Sequence, residues 1–357
     1  MRSTCARAAT AAIAGFALLL TACGGSDTSS ATSTSAAPTT EAPTTTAAPP
    51  TTDESTTTTV VEGPTQPLTG LPLSDPAAAT REAMVVKIDN HPDARPQFGL
   101  NQADIVFEEN VENLTRFAAV FQGTVPDRVG PVRSGRTQDV NLLGSLASPM
   151  FVWSGGNPTV TKAIKNSDLI NLSPTATGNE GFFRQKRGGE AYEHTLYARP
   201  PDLWAGFSPP DATAPPEQFT YRDAGTSPAG VPSAGVDIKM DNVNVGWTWD
   251  AASSSYLRTM GGRAHNDATL GQVNAANVVV LVVDYKQSPA DPNSPEAQTV
   301  GTGKAVVFAG GNLVAGTWSR ADRLDPFTLT ADDGSTIELT PGRTWVELAR
   351  AGKTAPR

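Results

Sequence analysis

Residues 84–121 read MVVKIDNHPDARPQFGLNQADIVFEENVENLTRFAAVF and decide the fold of the first half of this 357-residue chain. Three runs within this stretch are rich in β-branched, aromatic and other apolar residues, at 84–88, 104–108 and 116–121. Short runs of this kind, separated by Pro, Gly and Asn, are typical of strands joined by loops. We therefore predict three strands here.

The residues that follow add helices to these strands. Apolar residues spaced three apart predict a helix over 137–146. A short apolar strand at 151–153 leads into Ser and Gly, and a Pro in the first turn favours a helix over 158–165. The mixture of strands and helices predicts an α/β domain over 67–198.

The composition changes at 199–235, where Pro and Gly are dense. Proline lacks the backbone donor that helices and central strands need, so this stretch is predicted to be a connector. Residues 236–350 are predicted to form a mainly antiparallel β domain of the α+β type, followed by a tail at 351–357. The apolar run VVVLVV at 278–283 is expected to be its central buried strand. The other strands of this domain are predicted at 306–308, 327–330, 337–339 and 345–348.

The N-terminus has the pattern of a bacterial export signal. Arg2 and Arg7 open a basic start, and the apolar run at 8–20 is too short for a comfortable membrane span. The run ends in LTAC at 20–23, which resembles the lipobox of bacterial lipoproteins. That resemblance implies removal of a signal peptide over 1–22 and lipidation of Cys23, whose two acyl chains would anchor the chain stably. The alternative is an ordinary secretory signal with a chance Cys.

The segment at 23–66, which begins with the lipidated Cys, is predicted to be a disordered stalk. Ser, Thr, Ala and Pro dominate it and it holds no aromatic residue, so it cannot bury enough apolar area to offset chain ordering. The whole chain carries a net charge of −9, which makes it a poor nucleic-acid binder. Membrane contact is therefore predicted to come from the lipid anchor, at the extracytoplasmic face of the bacterial cell membrane.

Motifs along the folded part resemble one known family, the YerB-like bacterial lipoproteins, a domain family of unknown function called DUF3048. The matching motifs lie at 67–72, 84–136, 192–197, 263–267 and 301–347. The resemblance implies an N-terminal and a C-terminal domain, and it implies no established activity. Two departures concern loops: Asn113-Leu114 stands where the family has Gly-Gly, and Glu193 stands where it has Pro.

The chain has only three histidines, and each stands in a polar, loop-like context. His91 follows a predicted strand and lies between Asp89 and Asp93, whereas His194 and His265 lie in later loops. Three imidazoles with a carboxylate suit a divalent metal such as Zn²⁺, so all three histidines are metal candidates. Their spacings match no metal signature, and hydrogen-bonding struts are the alternative. No cofactor is predicted.

Two carboxylates suit acid–base chemistry. Glu108 lies on the second predicted strand and Asp89 at the end of the first. Together they would supply the pair that glycan hydrolysis requires, with His91 as a third catalytic candidate. The alternative is that Glu108 forms an internal ion pair with Arg116 or Arg133.

Basic residues form a candidate binding site on this acidic chain. Arg133, Ser134 and Arg136 precede a predicted helix, so two guanidinium groups and backbone N–H groups could converge on one anion. A second basic loop, RQKRGG at 184–189, comes just before His194. The predicted ligand is a phosphate or a carboxylate of a wall polymer, and the alternative is pairing with the chain's own acids. The further candidate binding residues are Arg95, Arg116, His194, His265 and Asp267.

Two functions follow from these residues. The favoured one is a lipid-anchored binding protein, not an enzyme, that recognises peptidoglycan, another anionic wall polymer or an envelope protein. The alternative is a hydrolase of wall glycan or phosphate esters that uses Glu108 and Asp89 with histidines or a divalent metal. The chain lacks Gly-x-Ser-x-Gly, His-Glu-x-x-His, Gly-x-x-x-x-Gly-Lys-Ser/Thr and Ser-x-x-Lys motifs, which favours binding.

Overall fold

The computed structural model describes residues 63–357, and all of them fall in one compact unit. The predicted signal peptide, the lipidation of Cys23 and nearly all of the predicted stalk lie outside the described residues. Among the helices of 63–357, none has the length and apolar character needed to cross a bilayer.

The described residues form 23 strands and four α-helices, many of them very short. The helices are α1 (Gln138–Leu142), α2 (Pro158–Lys165), α3 (Pro174–Thr177) and α4 (Pro200–Phe207). In chain order, the strands are β1 (Met84–Asp89), β2 (Ile105–Asn110), β3 (Thr115–Phe121), β4 (Met150–Val152), β5 (Ile170–Leu172), β6 (Phe182–Arg184), β7 (Leu196–Ala198), β8 (Val231–Pro232), β9 (Gly235–Met240), β10 (Val243–Asp250), β11 (Ser255–Met260), β12 (Arg263–Ala264), β13 (Asn266–Asp267), β14 (Gly271–Gln272), β15 (Asn274–Ala275), β16 (Asn277–Val282), β17 (Tyr285–Ser288), β18 (Asp291–Ala297), β19 (Gly301–Ala309), β20 (Asn312–Arg320), β21 (Thr328–Ala331), β22 (Thr344–Ala349) and β23 (Thr354–Pro356).

One large sheet takes strands from both halves of the sequence. Its strand order is β21-β20-β19-β16-β22-β2-β3-β1-β4-β5, and β8 pairs with β20. The two halves meet where β2 runs parallel to β22, with Ile105 opposite Thr344 and Glu108 opposite Glu347. The strand predicted from VVVLVV is β16, which lies between β19 and β22 and is buried along nearly its whole length.

Apolar side chains on both faces of this sheet form two cores. Because side chains alternate along a strand, Val86 and Phe117 pack into one core, and their chain neighbours Val85 and Ala118 pack into the other. A second sheet, with the order β12-β11-β10-β9-β23, contributes Trp247 and other apolar residues to the first core. Helices α1 and α2 contribute apolar residues to the second core.

The predicted fold class is confirmed: a mixed sheet with helices in the first half and mainly antiparallel strands in the second. Three features differ from the prediction. Helix α4 (Pro200–Phe207) lies within the predicted connector, because its prolines stand in the first turn, where the missing backbone donor is not needed. Helix α1 ends at Leu142, earlier than predicted, because the chain tightens into a 3-10 turn where Gly144 packs against the backbone of Arg323. The stretch predicted as a strand around Leu339 forms only an isolated bridge to Tyr221 of the connector.

Asp104 ties the start of β2 to the chain that follows β3. Its buried Oδ2 accepts hydrogen bonds from the backbone N–H groups of Gln122 (2.6 Å) and Gly123 (2.9 Å). Despite these bonds, burial raises the pKa of the Asp104 carboxyl from 3.8 to about 6. Between these two pH values the folded protein therefore binds a proton that the unfolded chain has released.

The variant Asp104→Asn is expected to isolate this effect. Because the native state binds more protons, the free energy of unfolding of the wild type falls relative to that of the variant as the pH rises from 3.5 to 7. The expected fall is about 3 kcal/mol, since one pKa unit corresponds to about 1.4 kcal/mol. Urea unfolding of both proteins at unit steps of pH measures it.

Asp250→Asn provides a control for which the stability difference from the wild type should change with pH in the opposite direction. Hydrogen bonds from Ser253 lower the pKa of Asp250, so the wild type should gain stability relative to this variant as the pH rises. A constant difference between the wild type and Asp104→Asn across the same range would contradict a raised pKa for Asp104.

Candidate functional site

A cavity of about 500 Å³ opens where two parallel strands end. Strands β1 and β4 are neighbours in the large sheet and run parallel, so their carboxyl ends meet at one edge. Ser154, Gly155 and Gly156 follow β4 and line the cavity. Asn157 also lines it and caps helix α2, because its Oδ1 accepts a hydrogen bond from the Val160 N–H at 3.0 Å.

Three arginines line this space, which we call the arginine cavity: Arg133, Arg136 and Arg184. The side chain of Arg133 is 24% exposed, and its terminal nitrogens donate to no residue within 63–357. Arg184 donates from Nη1 to the Tyr192 carbonyl at 2.7 Å, which leaves Nη2 without a partner among the described residues. Arg136 is engaged, because its Nη2 donates to Glu112 at 2.6 Å. Arg133 and Arg184 therefore have donors available to an anion.

Glu112 keeps Arg136 at the wall of the cavity. Burial alone would raise the pKa of this carboxyl, but Ser294 and Arg136 beside it lower that pKa to about 2. Glu112 is therefore a carboxylate at any physiological pH. Arg136 is therefore already paired with a carboxylate of the chain, unlike the terminal nitrogens of Arg133 and Nη2 of Arg184 among the described residues.

Asp89 fixes the orientation of Arg133. Its Oδ1 accepts a hydrogen bond from the backbone N–H of His91 at 3.0 Å. Its Oδ2 lies 3.3 Å from Arg133 Nε and accepts from His194 Nδ1 at 2.6 Å. Asp89 is only 3% exposed, so water screens these contacts weakly. It holds Arg133 through Nε and leaves the two terminal nitrogens available to the cavity.

His91 and His194 lie together beside Asp89. Their rings are stacked, with centroids 4.3 Å apart and planes at 6°. Asp93 is close to both, and one potential ligand atom from each residue lies within 4.8 Å of the others. Parallel rings direct their nitrogen lone pairs side by side, whereas a tetrahedral metal needs lone pairs that converge. Both rings would therefore have to turn before their nitrogens could point at one metal ion, and metal binding by His91 and His194 stays a prediction.

His265 does not join the other two histidines. Its Nδ1 accepts from Arg258 at 2.6 Å, and its Nε2–H donates to Gln97 Oε1 at 2.9 Å. Burial, together with Arg258 and Arg95, lowers the pKa of His265 well below its ordinary value. Both ring nitrogens are thus used in the interior, and His265 has the contacts of a hydrogen-bonding strut rather than those of a metal ligand.

Glu108 lies in the interior rather than in the arginine cavity. Its side chain is fully buried and is 2.5 Å from Arg258, measured from Oε2 to Nη2. Thr115 donates to Oε1 at 2.7 Å and the indole N–H of Trp345 donates to Oε2 at 3.2 Å. All of its partners are protein groups of the core, so Glu108 does not face a ligand.

The ion pair expected for Glu108 has a different partner from those predicted. Arg116 stands opposite Glu109, not Glu108, in the pairing of β2 with β3, and Arg133 lies against Asp89. Arg116 instead donates to the Ser134 carbonyl at 2.9 Å, and burial lowers its pKa to about 10. It therefore supports the loop that carries the arginines of the cavity.

Comparison with protein-family models matches both halves of the chain. A model described as "Protein of unknown function (DUF3048) N-terminal domain" matches residues 68–213, and the model of the DUF3048 C-terminal domain matches residues 236–346. Together the two matches span more than half of the chain. The chain belongs to the DUF3048 family.

One similar protein, YerB of Bacillus subtilis, agrees with the DUF3048 assignment both by sequence and by structure. The chain is 28% identical over 290 residues to a Bacillus subtilis (strain 168) protein named "Putative lipoprotein YerB", which covers 79% of this chain and 85% of that protein. The crystal structure of the YerB protein from Bacillus subtilis matches with a TM-score of 0.70 at 24% identity, covering 82% of this chain and 99% of that one. The structural match confirms the DUF3048 fold.

Two other candidates hold loops of this DUF3048 protein in place. Arg95 donates from Nε to Asn90 Oδ1 at 3.1 Å and from Nη2 to the Asn90 carbonyl at 2.6 Å. Asp267 Oδ1 accepts from the backbone N–H groups of Thr269 (2.9 Å) and Leu270 (3.1 Å). Neither Arg95 nor Asp267 lines the arginine cavity.

Several residues that line the cavity in this DUF3048 protein were not singled out from the sequence. Ser288 and Asp291 reach it from the hairpin of β17 and β18, and Tyr192 reaches it from the loop before His194. The Gly-Gly-Asn-Pro run at 155–158 was the available local signal, since glycines after a strand and a capping Asn before a helix mark a common place for a ligand.

Proposed function

We propose that this DUF3048 protein is a lipoprotein at the extracytoplasmic face of the bacterial cell membrane. We further propose that its arginine cavity binds a carboxylate or a phosphate group of a cell-wall polymer. The observation that carries the proposal is the pair Arg133 and Arg184, whose unused donors line one concave space. Hydrogen bonds between guanidinium groups and an anion are about twice as strong as those between neutral groups.

The electrostatics of the cavity support an anionic ligand. The chain has a net charge of −9, so an anion meets repulsion over most of the protein and attraction only where cations are concentrated. Arg133 is also held through Nε by the buried Asp89. A side chain that is already oriented loses less conformational entropy when the ligand binds, which strengthens binding.

The anchor is supported by the sequence and by the name of a relative. The LTAC motif at 20–23 has the pattern of a lipidation site, and the YerB relative is named as a lipoprotein. In a Pro-rich extended form, the segment 23–66 would reach on the order of 100 Å, which would carry the cavity into the wall layer. An envelope protein that presents a carboxylate to the cavity is the alternative partner.

Hydrolysis receives less support than binding. Glu108 is buried and bonded to Arg258, so it has no access to a ligand in the arginine cavity. Asp89 is already engaged by Arg133, by His194 and by the backbone of His91. The positions of Glu108 and Asp89 therefore give no support to the pair of carboxyl groups that glycan hydrolysis needs.

The double variant Arg133→Ala with Arg184→Ala is expected to weaken binding to purified peptidoglycan by at least about 10-fold. The reason is that a hydrogen bond to a charged group contributes roughly 1.5–3 kcal/mol, and about 1.4 kcal/mol corresponds to a factor of ten. Retention on purified peptidoglycan and calorimetric titration with inorganic phosphate measure the loss. Wild-type binding should also weaken as the salt concentration rises.

A control variant that removes two positive charges outside the cavity separates the effect of the site from that of net charge. Arg263 is an exposed arginine on β12 and does not line the arginine cavity, so Arg263→Ala removes a positive charge elsewhere. Combining it with Lys162→Ala, another exposed cation, gives the same change in net charge as the double variant. The proposal is wrong if this control loses as much binding as the cavity variant, or if the wild type binds neither probe.

A further inference from the structure

An exposed aromatic ring borders the arginine cavity. Tyr192 is 66% exposed, more than any other large hydrophobic residue in 63–357, and it lines the cavity. The guanidinium of Arg184 lies over the ring, with its carbon 3.6 Å from the ring centroid. Arg184 and the Thr195 hydroxyl both donate to the Tyr192 carbonyl, at 2.7 and 2.8 Å. The ring is therefore held in place while much of its surface remains open.

Acidic side chains share the cavity with the arginines. Glu193 and Asp291 line it together with Glu112, which is taken up by Arg136. Glu193 is exposed, and Asp291 uses one oxygen to accept from the Asn293 N–H at 2.9 Å. Carboxylates repel a bare anion, but they accept hydrogen bonds from hydroxyl groups. The lining therefore suits a ligand that carries both a negative charge and hydroxyl donors.

We infer that the ligand of the arginine cavity is an acidic carbohydrate. Its carboxylate or phosphate would meet Arg133 and Arg184, and its hydroxyl groups would meet Glu193 and Asp291. The C–H groups on one face of the sugar ring would pack against Tyr192, since an aromatic ring offers a large, rigid apolar surface. The inference rests on the proposed function and specifies the chemical class of its ligand.

The shape of the surface suits a polymer of such units. A volume of about 500 Å³ is within the range of sites that enclose small organic ligands. Glu112 and Ser294 also line a second cavity, of about 350 Å³. Because the two cavities share these residues, they lie next to each other on the surface.

The test titrates the full chain with three soluble probes. N-acetylmuramic acid carries a sugar ring and a carboxylate, N-acetylglucosamine carries the ring alone, and lactate carries the carboxylate alone. The wild type is expected to bind N-acetylmuramic acid at least about 10-fold more tightly than either fragment, because only the whole sugar uses the cations and the aromatic ring together. Chemical-shift titration or calorimetry gives the three affinities.

Variants of Tyr192 assign the ring contact. Tyr192→Ala is expected to weaken binding of N-acetylmuramic acid by about 5-fold and to change binding of lactate by less than about 2-fold. Tyr192→Phe keeps the ring and should bind like the wild type. Because this side chain is largely exposed, both variants are expected to fold normally.

The outcomes distinguish this inference from the proposed function. If lactate or inorganic phosphate binds through Arg133 and Arg184, but N-acetylmuramic acid binds no more tightly than lactate, the carbohydrate inference is wrong and the anion site stands. An equal loss of lactate and N-acetylmuramic acid binding in Tyr192→Ala also overturns the inference, because the ring would then act only through Arg184. If none of the charged probes binds, both proposals are wrong.

Discussion

Replacing Arg258 with Met is expected to lower the free energy of unfolding by about 3–5 kcal/mol, the range found when one partner of a buried charge pair is removed. Arg258 lies on β11, and its side chain has no exposed surface. Its Nη2 donates to Glu108 at 2.5 Å and its Nη1 donates to His265 at 2.6 Å. Methionine replaces only the aliphatic part of this side chain, and it donates a hydrogen bond to neither residue.

The charge on Glu108 is the reason for the size of this effect. Burial and the nearby Glu108 raise the pKa of Glu347 well above its ordinary value, which favours the neutral form of Glu347. Arg258 therefore balances one carboxylate, that of Glu108. Its guanidinium also lies 4.9 Å from the ring centroid of Trp345, so the variant loses a cation–π contact as well. Glu108 would remain in the interior with neutral donors only.

Two further variants separate charge from packing. Arg258→Met combined with Glu108→Gln removes the unpaired charge, and it should recover about 2 kcal/mol relative to the single variant. Arg350→Met is a control at a partly exposed pair, since Arg350 lies 2.6 Å from Asp241 and is 33% exposed. Its expected effect is about 1 kcal/mol or less. Urea unfolding followed by tryptophan fluorescence compares the three, and an Arg258 effect no larger than that of Arg350 would contradict the argument.

The first three strands could be predicted because their signal is local. β-Branched and aromatic runs in 84–121 mark Met84–Asp89, Ile105–Asn110 and Thr115–Phe121 to within two residues. The pairing of β2 with β22 could not be predicted in this way. A parallel pair of strands far apart in sequence depends on contacts that form only when both halves have folded, and no local pattern records them.

The candidate site also has parts that the sequence could predict and parts that it could not. Arg133, Ser134 and Arg136 are neighbours in sequence, so their presence in one cavity could be anticipated. The partner of Glu108 could not, because Arg258 is 150 positions away and on the second sheet. A buried carboxylate and an exposed one look alike in a sequence when the cation that pairs with the buried one comes from a distant strand.

Lys87→Met is expected to lower the free energy of unfolding by about 3–5 kcal/mol at pH 8, for a related reason. Lys87 lies on β1, and its side chain has no exposed surface. Its Nζ bonds to Glu109 of β2 and, at 2.6 Å, to Asp139 of helix α1. Both carboxyl groups are themselves fully buried. The variant leaves two interior acids without their only lysine.

This loss should depend on pH. Burial already raises the pKa of Glu109 to about 7 while Lys87 is present, and removal of that cation raises it further. In the folded variant, the carboxyl of Glu109 stays protonated up to its raised pKa. In the unfolded chain, the same carboxyl is ionised above about pH 4.5. The stability of the variant therefore falls as the pH rises, and the difference from the wild type should be smaller at pH 5 than at pH 8.

The same variant connects the core with the arginine cavity. Asp139 Oδ2 accepts from the backbone N–H of Arg136 at 2.6 Å, so the lysine network supports a residue that lines the cavity.

Lys162→Met on the exposed face of α2 is the control and should change stability by less than about 0.5 kcal/mol. Adding Glu109→Gln to Lys87→Met should restore stability mainly at pH 8, where the folded variant otherwise holds a protonated acid that is ionised in the unfolded chain. A Lys87→Met loss that is the same at pH 5 and pH 8 would mean that packing, rather than the unpaired charge, sets its size.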